Sequence, residues 1–88
     1  MYVIMVYDVG EKRVGRILKV GRQYLNWVQN SVLEGQLTDA QFERLKSDVR
    51  KRFNKDEDCI LFYVMRTDRY TQREILGQQK GDPLSTIL

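Results

Sequence analysis

The chain has 88 residues, of which 42% are hydrophobic and 31% charged, and it contains no histidine. This composition is typical of a single folded domain and excludes a disordered chain; at this length only about 60–65% of the unfolded surface can be buried, so a partner subunit would add stability. The net charge of +3 leans towards a polyanionic partner, and the lack of histidine removes the usual general base and the commonest zinc ligand.

The first predicted strand covers residues 2–7. Its six apolar or aromatic residues, YVIMVY, show no polar alternation, which predicts burial on both faces. Asp8 follows at the carboxyl end of the strand, where α/β folds tend to place their chemistry. A carboxylate there can shape the Val9-Gly10 turn, or it can be a ligand of Mg²⁺, which often binds through only one or two carboxylates.

A first helix is predicted from Glu11 onwards. Apolar residues recur at helical spacing along one arc: Val14, Ile17, Leu18, Gly21, Tyr24 and Leu25. Five basic residues are predicted on the opposite arc: Lys12, Arg13, Arg16, Lys19 and Arg22. This arc is either a solvated face or a surface for phosphate. Arg13 and Arg16 are the candidates for positioning a nucleic-acid backbone because they follow Asp8 closely, and Lys12 and Lys19 extend the same set.

Residues 27–35 are predicted to form two short strands or one bulged strand, with a turn at Asn30-Ser31. Thr38 and Gln41 have the spacing of a capping box, which starts a second helix. Its predicted buried face contains Phe42, Leu45, Val49 and Phe53.

The last predicted strand of the core, Cys59 to Met65, is again continuously apolar. Residues 74–77 are a possible short strand, and residues 78–88 form a tail that ends in an apolar patch. The predicted organisation is therefore a core domain over residues 1–77 and a C-terminal tail over residues 78–88.

This order of elements predicts an α+β fold, a ferredoxin-like βαββαβ sandwich with both helices on one face of an antiparallel sheet. Both faces of the two apolar strands require burial, and the simplest cover for the second face is another copy of the chain. We therefore expect a face-to-face homodimer in which the tail is an additional strand on an exposed sheet edge.

A dimer would also supply a second carboxylate, so the metal site is predicted to use Asp8 from each subunit. A cation there would stabilise phosphoryl charge and activate a water in a chain that has no histidine. The single cysteine, Cys59, excludes a disulfide within the chain and fits a reducing cytoplasm. No signal peptide or membrane-spanning run is expected.

The strand ending in Tyr7-Asp8, the basic helix, the QNSVLEG segment of residues 29–35 and the strand from Asp58 to Met65 follow one another at a characteristic spacing. Together they closely resemble the small CRISPR-associated proteins of spacer acquisition, across essentially the whole chain. The resemblance implies a ferredoxin-like homodimer and a Mg²⁺-dependent endonuclease that acts on RNA or DNA, with Asp8 as the metal-binding catalytic residue.

The same resemblance implies a second role, in which the dimer bridges the adaptation integrase and holds DNA by its backbone without cleaving it. Two further alternatives remain open at the level of sequence. One is a toxin-type ribonuclease on the same fold, and the other is an interaction module that has no metal dependence.

Overall fold

The computed structural model describes residues 1–66, 74–77 and 81. These residues form four strands and two helices in βαββαβ order: β1 Tyr2–Asp8, α1 Glu11–Arg22, β2 Asn26–Gln29, β3 Val32–Gln36, α2 Asp39–Arg50 and β4 Cys59–Met65. The predicted limits of the last strand are confirmed.

The strands form one antiparallel sheet in the order β2-β3-β1-β4. Val3, Met5 and Tyr7 point to one face of the sheet and are buried in the core together with residues of both helices. The predicted α+β ferredoxin-like architecture is confirmed. β1 is a central strand, but its ladder with β3 ends at Val6, so Asp8 at the carboxyl end is paired only with Cys59 of β4.

The buried face of α1 differs in part from the predicted one. Ile17 and Gly21 are buried as expected, but Val20 is buried instead of Val14, which is 39% exposed. Gly21 allows the helix to approach the sheet, since a Cβ at this position would lie 3.0 Å from Leu33 Cδ2. The helix also ends at Arg22, so the predicted Tyr24 and Leu25 pack from the following turn.

The predicted start of α2 is confirmed in atomic detail. Thr38 Oγ1 accepts a hydrogen bond from the Gln41 N–H at 3.1 Å, and Gln41 Oε1 accepts one from the Thr38 N–H at 2.9 Å. Leu45 and Val49 are buried, while Phe42 and Phe53 pack partly buried against the same core. Local capping and helical periodicity therefore account for this element.

Two short strands form between the helices, with an irregular register between Trp27 and Gln29. Asn30 has a φ of 42° in the tight turn that joins them. Its carbonyl accepts hydrogen bonds from Trp27 Nε1 at 3.0 Å and from the Tyr7 hydroxyl at 3.3 Å. These bonds hold the turn beside the end of β1.

Burial of both faces of the sheet is not achieved within the described part of one chain. On the face opposite the helices, which we call the outer face, Leu61 is 48% exposed and Tyr63 is 57% exposed. They lie directly opposite Val6 and Ile4 of β1, which are only partly buried. The outer face of one chain thus keeps an apolar surface across β1 and β4.

The possible strand at residues 74–77 is wrong, because these residues have no strand structure. Glu74, Ile75 and Leu76 instead line a surface cavity beside the β2–β3 hairpin. Apart from Gly81, the predicted tail strand lies outside the described residues. Among the residues that are described, no helix is long and apolar enough to span a membrane.

Candidate metal site and nucleic-acid interface

Asp8 lies at the end of β1 and is exposed. It is paired across the ladder with Cys59, the first residue of β4, which is also exposed, so the two side chains share the outer face. Across residues 1–66, 74–77 and 81, no hydrogen bond or ion pair engages the Asp8 carboxylate. Both of its oxygens are therefore available to a ligand from solvent.

The donor chemistry of this position fits Mg²⁺, which prefers carboxylate oxygen and retains several waters. The described residues of one chain contain no group of three or more metal-ligating acids, cysteines or histidines. The described part of one chain therefore has no ready-made cluster of ligands, and a cation held by two Asp8 carboxylates would need a second copy of the chain.

Asp58 connects the segments around Asp8, and sequence reasoning missed this role. Its carboxylate accepts hydrogen bonds from the Gly10 N–H at 2.8 Å, the Asn54 N–H at 2.8 Å, and Arg13 Nε and Nη2 at 2.6 and 2.9 Å. The side chain is fully shielded from solvent. The Arg13 guanidinium, followed by the two backbone N–H groups, holds the pKa of Asp58 well below its ordinary value.

Arg13 does not lie on the outer arc of α1 where the sequence placed it. It precedes Ile17 and Val20 by four and seven residues, so it belongs to the buried side of the helix. Its side chain is only 19% exposed and pairs with both Asp58 and Glu57. The two carboxylates raise the pKa of Arg13 and more than balance its charge. In this structure Arg13 anchors α1 to the segment before β4.

The remaining basic residues of α1 do form an exposed face. Lys12, Arg16 and Lys19 follow one another at spacings of four and three residues and are all exposed. Arg22 lies at the flank, with its guanidinium carbon 5.6 Å from the centroid of the Trp27 ring. We call Lys12, Arg16 and Lys19 the basic face. It begins four residues after Asp8 in the chain and contains three of the four cations predicted to bind nucleic acid. Because α1 packs on the face of the sheet opposite the outer face, the basic face and the Asp8 side chain lie on different sides of the sheet.

Comparison with known proteins identifies the family of this chain. The family model for CRISPR-associated protein Cas2 matches residues 1–73. A protein of Thermotoga maritima named CRISPR-associated endoribonuclease Cas2 is 54% identical over 82 residues, which cover 93% of this chain and 94% of the relative. A protein of the same name from Dictyoglomus turgidum is 52% identical over 81 residues, which cover 92% of this chain and 93% of the relative.

Solved structures of Cas2 proteins have the same fold as this chain. The crystal structure of Streptococcus pyogenes Cas2 has a TM-score of 0.78 and 31% identity, covering 88% of this chain and all of that one. A second crystal structure described as cas2 has a TM-score of 0.82 and 39% identity, covering 91% of this chain and 90% of that one. The chain belongs to the Cas2 family of CRISPR-associated proteins.

Proposed function

We propose that this chain is a Mg²⁺-dependent endoribonuclease of CRISPR defence, with Asp8 as the metal ligand. The observation that carries the proposal is an exposed carboxylate at the end of a central strand, engaged by no described residue, in a chain whose next helix exposes the basic face. The relatives named as endoribonucleases, which cover nearly the whole chain at more than 50% identity, support RNA as the substrate. The single cysteine supports a reducing, cytoplasmic location.

The active form is a homodimer joined through the outer face of the sheet. Ile4 lies opposite Tyr63 and Val6 opposite Leu61, so four apolar side chains form a continuous surface on β1 and β4. Covering this surface with a second copy buries apolar area on both chains, which is the main favourable term in association. Asp8 follows Val6 by two residues and therefore lies on the same face. Two copies joined through this face can place two Asp8 carboxylates in one site.

Each part of the site has a separate role. The Asp8 carboxylates hold the cation, which when bound stabilises charge on the phosphoryl oxygens and lowers the pKa of water. Lys12, Arg16 and Lys19 attract and position the phosphate backbone. Phosphate contacts carry no base information, so we expect cleavage with little sequence preference.

Cleavage of labelled single-stranded RNA and duplex DNA by the wild-type protein, with Mg²⁺ or with EDTA, tests this function. We expect RNA to be cut with Mg²⁺ and both substrates to remain intact with EDTA. Cutting that persists in EDTA would contradict the metal site. Metal-dependent cutting of duplex DNA alone would retain the site and change the substrate.

A second function, a non-catalytic scaffold that holds DNA for the adaptation integrase, is favoured by one observation. The basic face needs no contribution from Asp8 to bind a phosphate backbone, because its three cations are exposed on their own helix. Salt-sensitive binding of duplex DNA, with no cutting of either substrate in Mg²⁺, is the result expected for the scaffold.

Charge reversal of the basic face tests the backbone contacts. Replacing Lys12, Arg16 and Lys19 with Glu should weaken binding of all RNA sequences alike and flatten the salt dependence, because each lost contact on a single strand removes about 0.7 from the slope of log K against log salt. Filter binding in EDTA at several salt concentrations measures this slope.

The matched control reverses Arg50, Lys51 and Arg52, three exposed cations at the end of α2 and directly after it. Their positive charge at a helix C-terminus is explained by the helix dipole alone. Equal losses of affinity in the two variants would mean that net charge, not the basic face, drives binding.

A further inference from the structure

We propose that Asp58 is a positioning residue for Asp8, which it holds in place through the β1–α1 turn without contacting metal or substrate. The inference rests on the proposed metal site and adds a residue to it. Asp58 directly precedes Cys59, and Cys59 is the ladder partner of Asp8. The Asp58 carboxylate in turn accepts a hydrogen bond from the Gly10 N–H, two residues beyond Asp8.

The connection between β1 and α1 consists of Val9 and Gly10 alone. Gly10 is the N-cap of α1 and has no side chain with which to cap the helix. On one side of Asp8 the backbone is held by the ladder to β4, and on the other side the Gly10 N–H is held by Asp58. The Asp58 carboxylate therefore fixes the backbone on the far side of Asp8, and the ladder with Cys59 fixes it on the near side.

The chemistry of this anchor requires a carboxylate. Oδ1 accepts from the Gly10 N–H and Arg13 Nη2, and Oδ2 accepts from Arg13 Nε and the Asn54 N–H. An asparagine keeps one acceptor oxygen and replaces the other with an NH₂ group, which would face two donors. Asp58→Asn is nearly the same size as the native residue, yet it cannot satisfy all four donors.

Loss of the hydrogen bonds to Asp58 should weaken metal binding. Residues that orient a metal ligand without touching the metal typically contribute about 10- to 100-fold in metal affinity, because the ligand must be held in a narrow range of positions. The same change should leave the basic face intact, since Lys12, Arg16 and Lys19 form no hydrogen bond or ion pair with Asp58. A split between metal affinity and RNA affinity is therefore expected, which a general loss of structure would not produce.

The test uses Mn²⁺ as the probe on the full chain, at a temperature where circular dichroism shows the variants folded. Asp58→Asn should raise the Mn²⁺ dissociation constant about 10-fold or more, measured by electron paramagnetic resonance of free Mn²⁺, while RNA affinity in EDTA changes less than about twofold. The matched control is Glu57→Gln. It removes a negative charge that also pairs with Arg13 Nη2, but Glu57 accepts no hydrogen bond from Gly10. It should bind Mn²⁺ like the wild type.

Unchanged Mn²⁺ binding in Asp58→Asn, or an equal loss in Glu57→Gln, would overturn the positioning role. Amide hydrogen exchange gives a second readout that needs no variant. In the wild type the Gly10 N–H should exchange more slowly than those of Glu11 and Lys12, which lie in the uncapped first turn of α1. Failure of the wild type to bind Mn²⁺ would overturn the metal site itself, whereas fast exchange of Gly10 in a protein that binds Mn²⁺ would overturn the role of Asp58 alone.

Discussion

Replacing Asp8 with asparagine should reduce metal-dependent cleavage by about 10³-fold or more and leave the protein folded and dimeric. A metal ion supplies several kcal/mol of charge stabilisation to a reacting phosphate, and each ~1.4 kcal/mol corresponds to a tenfold change in rate. The amide keeps the size of the side chain but lacks the charge that holds a divalent cation. Single-turnover cleavage of labelled RNA at saturating Mg²⁺ is the measurement.

The stability of Asp8→Asn should be nearly unchanged, because Asp8 is exposed and no described residue bonds to its carboxylate. Substitutions at such positions usually alter the free energy of unfolding by less than about 0.5 kcal/mol. Glu11→Gln is the matched control, since it removes one exposed acid three residues further along the chain. If the Asp8 variant cuts like the wild type, the activity belongs to other residues; if Glu11→Gln is equally inactive, net charge is the cause.

Substituting Leu61 and Tyr63 with glutamate should convert the proposed dimer into monomers. Both side chains lie on the outer face, are about half exposed in the single chain and stand opposite Val6 and Ile4. The two-fold symmetry of a dimer places each new carboxylate in the interface twice. An uncompensated buried charge costs several kcal/mol, so we expect the dimer dissociation constant to rise at least about 100-fold.

Sedimentation equilibrium distinguishes the 10.5 kDa chain from its dimer. Val64→Glu is a matched control, because Val64 is on the same strand and as exposed as Leu61, but it pairs with Val3 on the helix-facing side of the sheet. Val64→Glu should remain dimeric. A dimer that survives the Leu61 and Tyr63 substitutions but not the one at Val64 would move the interface to the other face.

The proposed dimer also predicts how the same substitutions affect activity. A monomer brings one Asp8 to the site instead of two, so the Leu61 and Tyr63 variant should lose metal-dependent cleavage while its basic face still binds RNA. Cleavage by a verified monomer would show that one carboxylate per site is sufficient and that the outer face serves a different purpose.

Several elements were predictable because their causes are local. The capping box at Thr38 and Gln41 specifies its own hydrogen bonds over three residues, and the structure forms both of them. The unbroken apolar run from Cys59 to Met65 is bounded by charged residues, so its limits could be read directly. The position of Asp8 at the end of the first strand has the same origin.

The basic helix illustrates the limit of that reasoning. The sequence analysis grouped Arg13 with the other cations, and this was wrong, because Arg13 lies four residues before the buried Ile17 and seven before the buried Val20. What holds Arg13 on the buried side is Asp58, which is 45 residues away in the chain and is surrounded by other polar residues that form a turn. No local pattern distinguishes this carboxylate from Asp56 or Glu57.

The sequence by itself determined the order and type of the elements, the apolar character of β1 and β4, and the position of a carboxylate at the end of β1. These features depend on neighbouring residues and on the periods of helix and strand. Only the tertiary structure decided which cations remain on the surface and which acid holds the turn beside Asp8. Those choices depend on contacts between residues far apart in the chain, such as the ion pair of Arg13 with Asp58, which no neighbouring residue specifies.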